Sequence, residues 1–283
     1  MAIQPDALLA HDFGVVPQDY AARDAILYAL GVGLGHNPTD DDDLAFLDET
    51  RLKVLPTFAV TLATPGMWIR DPAFGVNFGK LVHLAQMAEF PNPLPAAAHI
   101  MGTARVTSLT DRGPDKGAVL VVAREIKDAA TGRIYCRLQQ TLLLRGDGGF
   151  DGPPAARDAS LIPGRPHEYS HDFQTSPRAA LIYRLSGDAN PLHIDPETAQ
   201  HAGFSRPILH GLASYGIAGV AVSRALGQDP SRIAKLGCRF SGVVLPGDTL
   251  TFHVWKTPTG AVFQAWSDDR RLLDEGVIEW SAN

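Results

Sequence analysis

The stretch Tyr183-Arg184-Leu185-Ser186-Gly187-Asp188-Ala189-Asn190-Pro191-Leu192-His193 sets a carboxylate, an amide and an imidazole close together in the chain. A carboxylate and an imidazole on either side of one water can take a proton from it and return one elsewhere. Each such contribution is commonly worth ~10²–10⁴-fold in rate. Chemistry that adds or removes water needs both steps: a base for the water and a source for the returning proton. The residues themselves leave open which of Asp188 and His193 is base and which is acid. The Asn190 amide can hold a side chain or the water in position. Where a reaction builds negative charge on a carbonyl oxygen, a backbone N–H at a helix start stabilises it. Losing one such donor costs about 3 kcal/mol. Gly211, at the head of a run of small residues, offers an N–H with no side chain in the way.

Such groups must be held by something stiff. Gly187 allows a sharp turn, and Pro191 limits the loop that follows. Asp195-Pro196-Glu197 reads as N-cap, first-turn proline and early acid, so a short helix is expected there. Upstream, Ser176-Pro177 opens a helical run through Leu181, Ile182 and Leu185 that ends at Ser186-Gly187. Asp188 to His193 therefore lies in a loop between two helices, a pre-organised place for a site. Downstream, residues 211–222 are rich in Gly, Ala and Ser and predict a helix suited to close wrapping by a curved sheet.

The first half of the chain echoes this order. A run through Ile26, Leu27 and Leu30 ends at Gly31-Val32-Gly33, with Tyr28 aligned to Tyr183. Val54-Leu55-Pro56 matches Ile208-Leu209-His210. The spacing is 27 residues from Tyr28 to Leu55 and 26 from Tyr183 to Leu209. Leu94-Pro95 and Leu245-Pro246 each open a β-like stretch. Three matches in one order point to a duplicated fold. Between the copies, Gly, Pro and Asp dominate from Gly146 to Pro154 and apolar periodicity lapses. Residues 1–146 are expected to form one repeat, 147–170 a linker and 171–283 a second repeat. Strands are expected at 119–124, 137–144, 249–255 and 261–266. A long helix with an antiparallel sheet, twice, is an α+β arrangement.

Residues 183–193 resemble, without a gap, the signature of the hydratase 2 or MaoC-like dehydratase family: a Tyr, a small residue, then Gly-Asp-x-Asn-Pro-(Leu/Ile/Val)-His. Pro207-Ile208-Leu209-His210-Gly211-Leu212 and residues 239–250 are also similar to it. The resemblance is strong over the second half, and the length resembles the two-repeat members. It implies a double hot-dog fold, two antiparallel sheets each wrapped around a long central helix. It also implies metal-free, cofactor-free, reversible hydration of trans-2-enoyl-CoA to (3R)-3-hydroxyacyl-CoA in a homodimer, with Asp188, His193 and Asn190 at the water and Gly211 at the oxyanion. Arg206, Lys235 and Arg239 are candidates for the CoA phosphates. The first half has Val32 and Gly33 where Gly187 and Asp188 would align, and Pro56 for His210. It is expected to shape a tunnel for medium or long acyl chains. Two rival readings are a hot-dog acyl-CoA thioesterase and a non-catalytic acyl-CoA-binding subunit; the intact loop argues against both.

Other features read more plainly. His210 is expected to be structural or to support the site, and His201 to be exposed on its helix. A His193, His201 and His210 metal site has no recognised ligand spacing. His83 with Gln86 resembles a motif of the family's first repeats and is expected to be structural. Asp40 to Asp43 lacks the glycine and closing glutamate of a calcium loop, so a solvated acidic loop is expected. The net charge of −6 is unlike that of a nucleic-acid binder. It is uneven: residues 1–60 hold ten acidic and three basic side chains, a net of −7, and residues 178–239 four and seven, a net of +3. No apolar run is long enough to span a membrane, and no secretory or peroxisomal signal is read at either end. Cys136 and Cys238 are unpaired by spacing, consistent with reduced thiols in the cytoplasm.

Overall fold

The computed structural model describes residues 2–154 and 159–282; linker residues 155–158 lie outside the described residues. Six helices are placed among them: α1 (Pro5–Leu9), α2 (Ala22–Gly31), α3 (Asp41–Leu44), α4 (Ala179–Tyr183), α5 (Pro196–His201) and α6 (Gly211–Ala225). Ten strands follow the same count: β1 (Val15–Tyr20), β2 (Leu81–Glu89), β3 (Ala98–Asp111), β4 (Ala118–Asp128), β5 (Ile134–Leu144), β6 (Tyr169–Gln174), β7 (Ile233–Phe240), β8 (Thr249–Lys256), β9 (Gly260–Ser267) and β10 (Arg270–Trp280).

The strands form one antiparallel sheet in the order β1-β3-β4-β5-β2-β7-β10-β9-β8-β6. Read inward from each edge, the two halves have the same order: first strand, third, fourth, fifth, second. The duplication seen in the sequence is thus a duplication of topology. The two half-sheets meet edge to edge, with β2 paired to β7 from Ala85–Arg239 to Glu89–Lys235. That seam removes two sheet edges that would otherwise need covering.

Helix α6 fills the inner face of the second half. Its interior is Ala-, Gly- and Ser-rich, so other elements approach closely: a Cβ on Gly216 would lie 2.5 Å from the Tyr28 hydroxyl and 2.6 Å from Val32. Tyr28 and Tyr183, the residues aligned by the repeat, pack against each other at 5.8 Å. The first half differs from the expectation of a second long helix. Its counterpart is a six-residue 3-10 segment, Pro56–Thr61. Thr57, Val60 and Thr61 are β-branched, and Pro65 forces Thr64 out of helical conformation, so the chain cannot continue the helix.

The acidic run also differs from a solvated loop. Asp40 caps α3 by accepting from the Asp42 N–H, and Asp43 is buried. Asp43 accepts from the Gly35 N–H at 2.8 Å and pairs with Arg224 at the end of α6, tying the two halves together.

Candidate active site

The loop is built as a series of locally satisfied turns. After α4, a 3-10 turn (Arg184–Ser186) ends at Gly187 with φ +111°, a conformation that favours glycine. Asp188 Oδ1 accepts from the Asn190 N–H at 3.1 Å, and Asn190 Oδ1 accepts from the Leu192 N–H at 3.2 Å, capping a second 3-10 turn (Pro191–His193). Asp195 then caps α5 by accepting from the Glu197 and Thr198 N–H groups. Each polar side chain in the loop is oriented by backbone, which leaves the second Asp188 oxygen and the Asn190 amide nitrogen for other work.

His193 is buried, and its Nδ1–H donates to the Ile208 carbonyl at 2.9 Å. A carbonyl can only accept, so Nδ1 carries the proton of the neutral ring and Nε2 presents a lone pair. Burial pushes the His193 pKa down, outweighing the Ile208 hydrogen bond and the Asp188 charge, which push it up. Asp188, His193 and His210 each bring one ligand-type atom within 4.8 Å of the others. A carboxylate oxygen of Asp188 and a ring nitrogen of His193 thus lie within 4.8 Å of each other.

His210 is buried behind this pair. Its ring stacks on His193 at 3.6 Å, and its Nε2–H donates to the Asp188 carbonyl at 3.2 Å. Its pKa is pushed down to about 4, first by burial and then by the neighbouring His193. Its Nδ1 is buried without a hydrogen-bond partner among the described residues. His201 lies exposed at the end of α5, outside this cluster.

Gly211 opens the 15-residue α6, where the first N–H groups have no intrahelical acceptor. It is exposed, and the Phe240 ring lies 3.4 Å from where its Cβ would sit. The three candidate phosphate contacts are scattered. Arg206 is exposed in the loop before α6. Arg239 and Lys235 alternate with Phe240, Cys238 and Leu236, so they point to the outer face of the sheet, and Lys235 is engaged with Glu279 at 3.6 Å.

The first half supplies a neighbour that the sequence spacing hid. His83 and Gln86 are three apart, which on a regular strand puts them on opposite faces. A register shift between His83 and Ala85 turns both inward: His83 pairs with Leu142, and Gln86 with Gln140. The His83 ring packs against Phe240 at 4.8 Å, and its Nε2–H donates to the Ala85 carbonyl. Burial pushes its pKa down to about 4, while Ala85, Gln86 and the Asp188 charge push it up. His83 is thus within electrostatic reach of Asp188.

Two half-sheets of identical topology, joined edge to edge, with a polar loop over the head of a central helix, define a double hot-dog protein of the α+β class. Residues 158–273 match the MaoC like domain, and residues 18–146 the MFE-2 hydratase 2 N-terminal domain. The chain is 39% identical to 3-hydroxyacyl-thioester dehydratase Y of Mycobacterium tuberculosis over the whole of both chains. It is 35% identical to the peroxisomal enoyl-CoA hydratase 2 of Arabidopsis thaliana, over 94% of this chain and 91% of that one. The crystal structure of a MaoC-like dehydratase from Phytophthora capsici superposes with a TM-score of 0.84 at 30% identity, covering 98% and 99% of the two chains. The chain belongs to the MaoC-like dehydratase family, among its two-repeat hydratase 2 members.

Proposed function

We propose that the chain is a hydro-lyase that reversibly adds water to trans-2-enoyl-CoA to give (3R)-3-hydroxyacyl-CoA. The observation that carries this reading is the convergence of Asp188 and His193 with the His193 tautomer fixed by Ile208. The names of its relatives, hydratase in one case and thioester dehydratase in another, are the two directions of that one reaction.

One water donates its two hydrogens to the Asp188 carboxylate and His193 Nε2, which aims an oxygen lone pair at the β-carbon. As the O–C bond forms, one proton passes to the pair and the alkene electrons move onto the thioester oxygen. The Gly211 N–H, at the positive end of α6, stabilises that oxyanion. The pair then returns a proton to the α-carbon. No hydrogen is gained or lost beyond those of the water, so the cycle needs no cofactor. Asn190, with its oxygen fixed in the cap, has its amide N–H groups free to hold the water or the thioester.

In this reading residues 1–146 form a repeat that shapes the acyl site, 147–170 a linker and 171–283 the catalytic repeat. Arg206, exposed in the loop before α6, is the candidate for the CoA phosphates; Arg239 and Lys235 face the outer side of the sheet, and Glu279 already engages Lys235. No helix among the described residues is long and apolar enough to cross a membrane. We place the protein in the cytoplasm as a homodimer, on the strength of the family resemblance and its two buried free cysteines.

Following enoyl-thioester absorbance on adding enzyme, with chiral analysis of the product, tests the reaction. An (S)-alcohol, or release of free CoA in place of hydration, would overturn it.

A further inference from the structure

An N–H that steadies the enolate oxygen during water addition also steadies the oxyanion formed when water attacks the thioester carbon itself. In that second reaction an O–C bond forms as the carbonyl electrons move onto oxygen. They then return and break the C–S bond, and the CoA sulfur leaves with a proton from the water. The products are an enoic acid and a free thiol. A site that uses the Gly211 N–H for hydration must therefore keep other waters off the carbonyl face.

Phe240 stands where such a barrier is needed. It ends β7, in phase with the buried Leu236 and Cys238, so its ring turns to the inner face of the sheet. Three of its ring carbons lie 3.4, 3.5 and 3.7 Å from where a Gly211 Cβ would sit. The His83 ring, turned inward by the register shift in β2, meets it edge-on with centroids 4.8 Å apart. Phe240 is half-buried against the main core, while Gly211 beside it is exposed. An apolar ring at this position also strengthens the N–H, because no solvent dipole competes for the oxygen.

His83 is a third imidazole within reach of the Asp188 charge, after His193 and His210. It is poorly equipped to drive hydrolysis. Its Nε2–H donates to the Ala85 carbonyl at 3.1 Å, and Gln86 adds a side-chain hydrogen bond. Burial pushes its pKa down to about 4, so it is a weak base near neutrality.

We propose that Phe240, packed against Gly211 and His83, excludes water from the thioester carbonyl, so that water adds at the β-carbon and the thioester survives. This rests on the hydratase reading and names the residue that separates water addition from thioester hydrolysis at that site.

The test measures two products of one incubation with an enoyl-CoA: 3-hydroxyacyl-CoA and free thiol. In wild type, hydration is expected to outrun thiol release by at least ~10², the advantage of a positioned acid–base pair over unassisted water. Phe240→Ala opens space that water, at about 30 Å³ a molecule, can enter. The ratio of thiol release to hydration should then rise about tenfold, less than a positioned base would give because none directs that water. Phe240→Leu, apolar but smaller than Phe, should raise the ratio by a lesser factor, and it reads the same ratio where Phe240→Ala does not fold. A loss of hydration with an unchanged ratio would make Phe240 a packing residue and overturn the proposal. Thiol release comparable to hydration in wild type overturns it with no variant needed. Wild type that forms no 3-hydroxyacyl-CoA would sink the hydratase reading, whereas a hydrating wild type whose Phe240 variants keep its ratio sinks this inference alone.

Discussion

The two halves share a strand order but differ at one element. In the second half, the 15 residues of α6 cover the sheet, and its N-cap residue His210 contacts the loop bearing Asp188 and His193. In the first half, β-branched residues and Pro65 stop the equivalent segment after Thr61, and the inner face stays partly open. The lesson is that a duplicated fold can divide labour by shortening one helix. In the proposed reading, the full-length copy holds the chemistry and the shortened copy leaves room for the substrate.

The strongest way to break this division is to remove the chemistry from the second half. Asp188→Asn or His193→Ala is expected to lower kcat by about 10²–10⁴ in the enoyl-CoA absorbance assay. Asn37→Ala, in the first-half loop between α2 and α3 where its Oδ1 accepts from the Thr39 N–H, should leave turnover near wild type. Comparable losses in all three would end the assignment of one working site.

A smaller effect is expected behind the site. His210→Phe keeps the stack on His193 but removes the donor that pins Asp188, so kcat should fall about tenfold with KM little changed. His210→Asn, which can still donate, should fall less. The reverse ranking would assign His210's importance to the stack alone.

The open face can be closed directly. Ala104→Phe should raise KM for a long-chain enoyl-CoA several-fold more than for crotonyl-CoA. Equal kinetics on the two chain lengths in wild type would count against any acyl role for the first half.

The smallest expected effect is a shift in pH dependence. His193 acts as acceptor only when neutral, and its pKa lies below the ordinary 6.5. The rate kcat/KM should therefore hold as pH falls to about 6.5 and decline below it, as the ring protonates. A limb at or above 6.5 would mean that the His193 environment is wetter than the structure shows.

The loop, its caps and the repeat could be read in the sequence because each is written locally. Gly187, Asn190-Pro191 and Asp195-Pro196-Glu197 act on their own backbone, and α6 shows as a run of small residues. Strands β4, β5, β8 and β9 announced themselves by apolar runs. What stayed hidden depends on partners far along the chain. β2 has no clean alternation, because its bulge brings His83 and Gln86 to one face and the seam surrounds it with strands on both sides. β10 carries register shifts against both neighbours, and β1 is a six-residue edge strand holding Pro17. Asp43 looked like one of four solvated acids; only the folded chain brings Arg224, 181 residues away, to meet it. The helix expected in the first half was carried over by analogy from the second, against the β-branched residues and proline that end it.

The β2–β7 seam has a consequence for how the molecule comes apart. Each half's fifth strand partner is held on its far side by the other half, so neither could unravel without stranding a row of amides on its neighbour. Amide exchange should therefore slow to a common rate across 85–89 and 235–239, the last protons to be released, while the outer ribbons β1 and β6 trade theirs early.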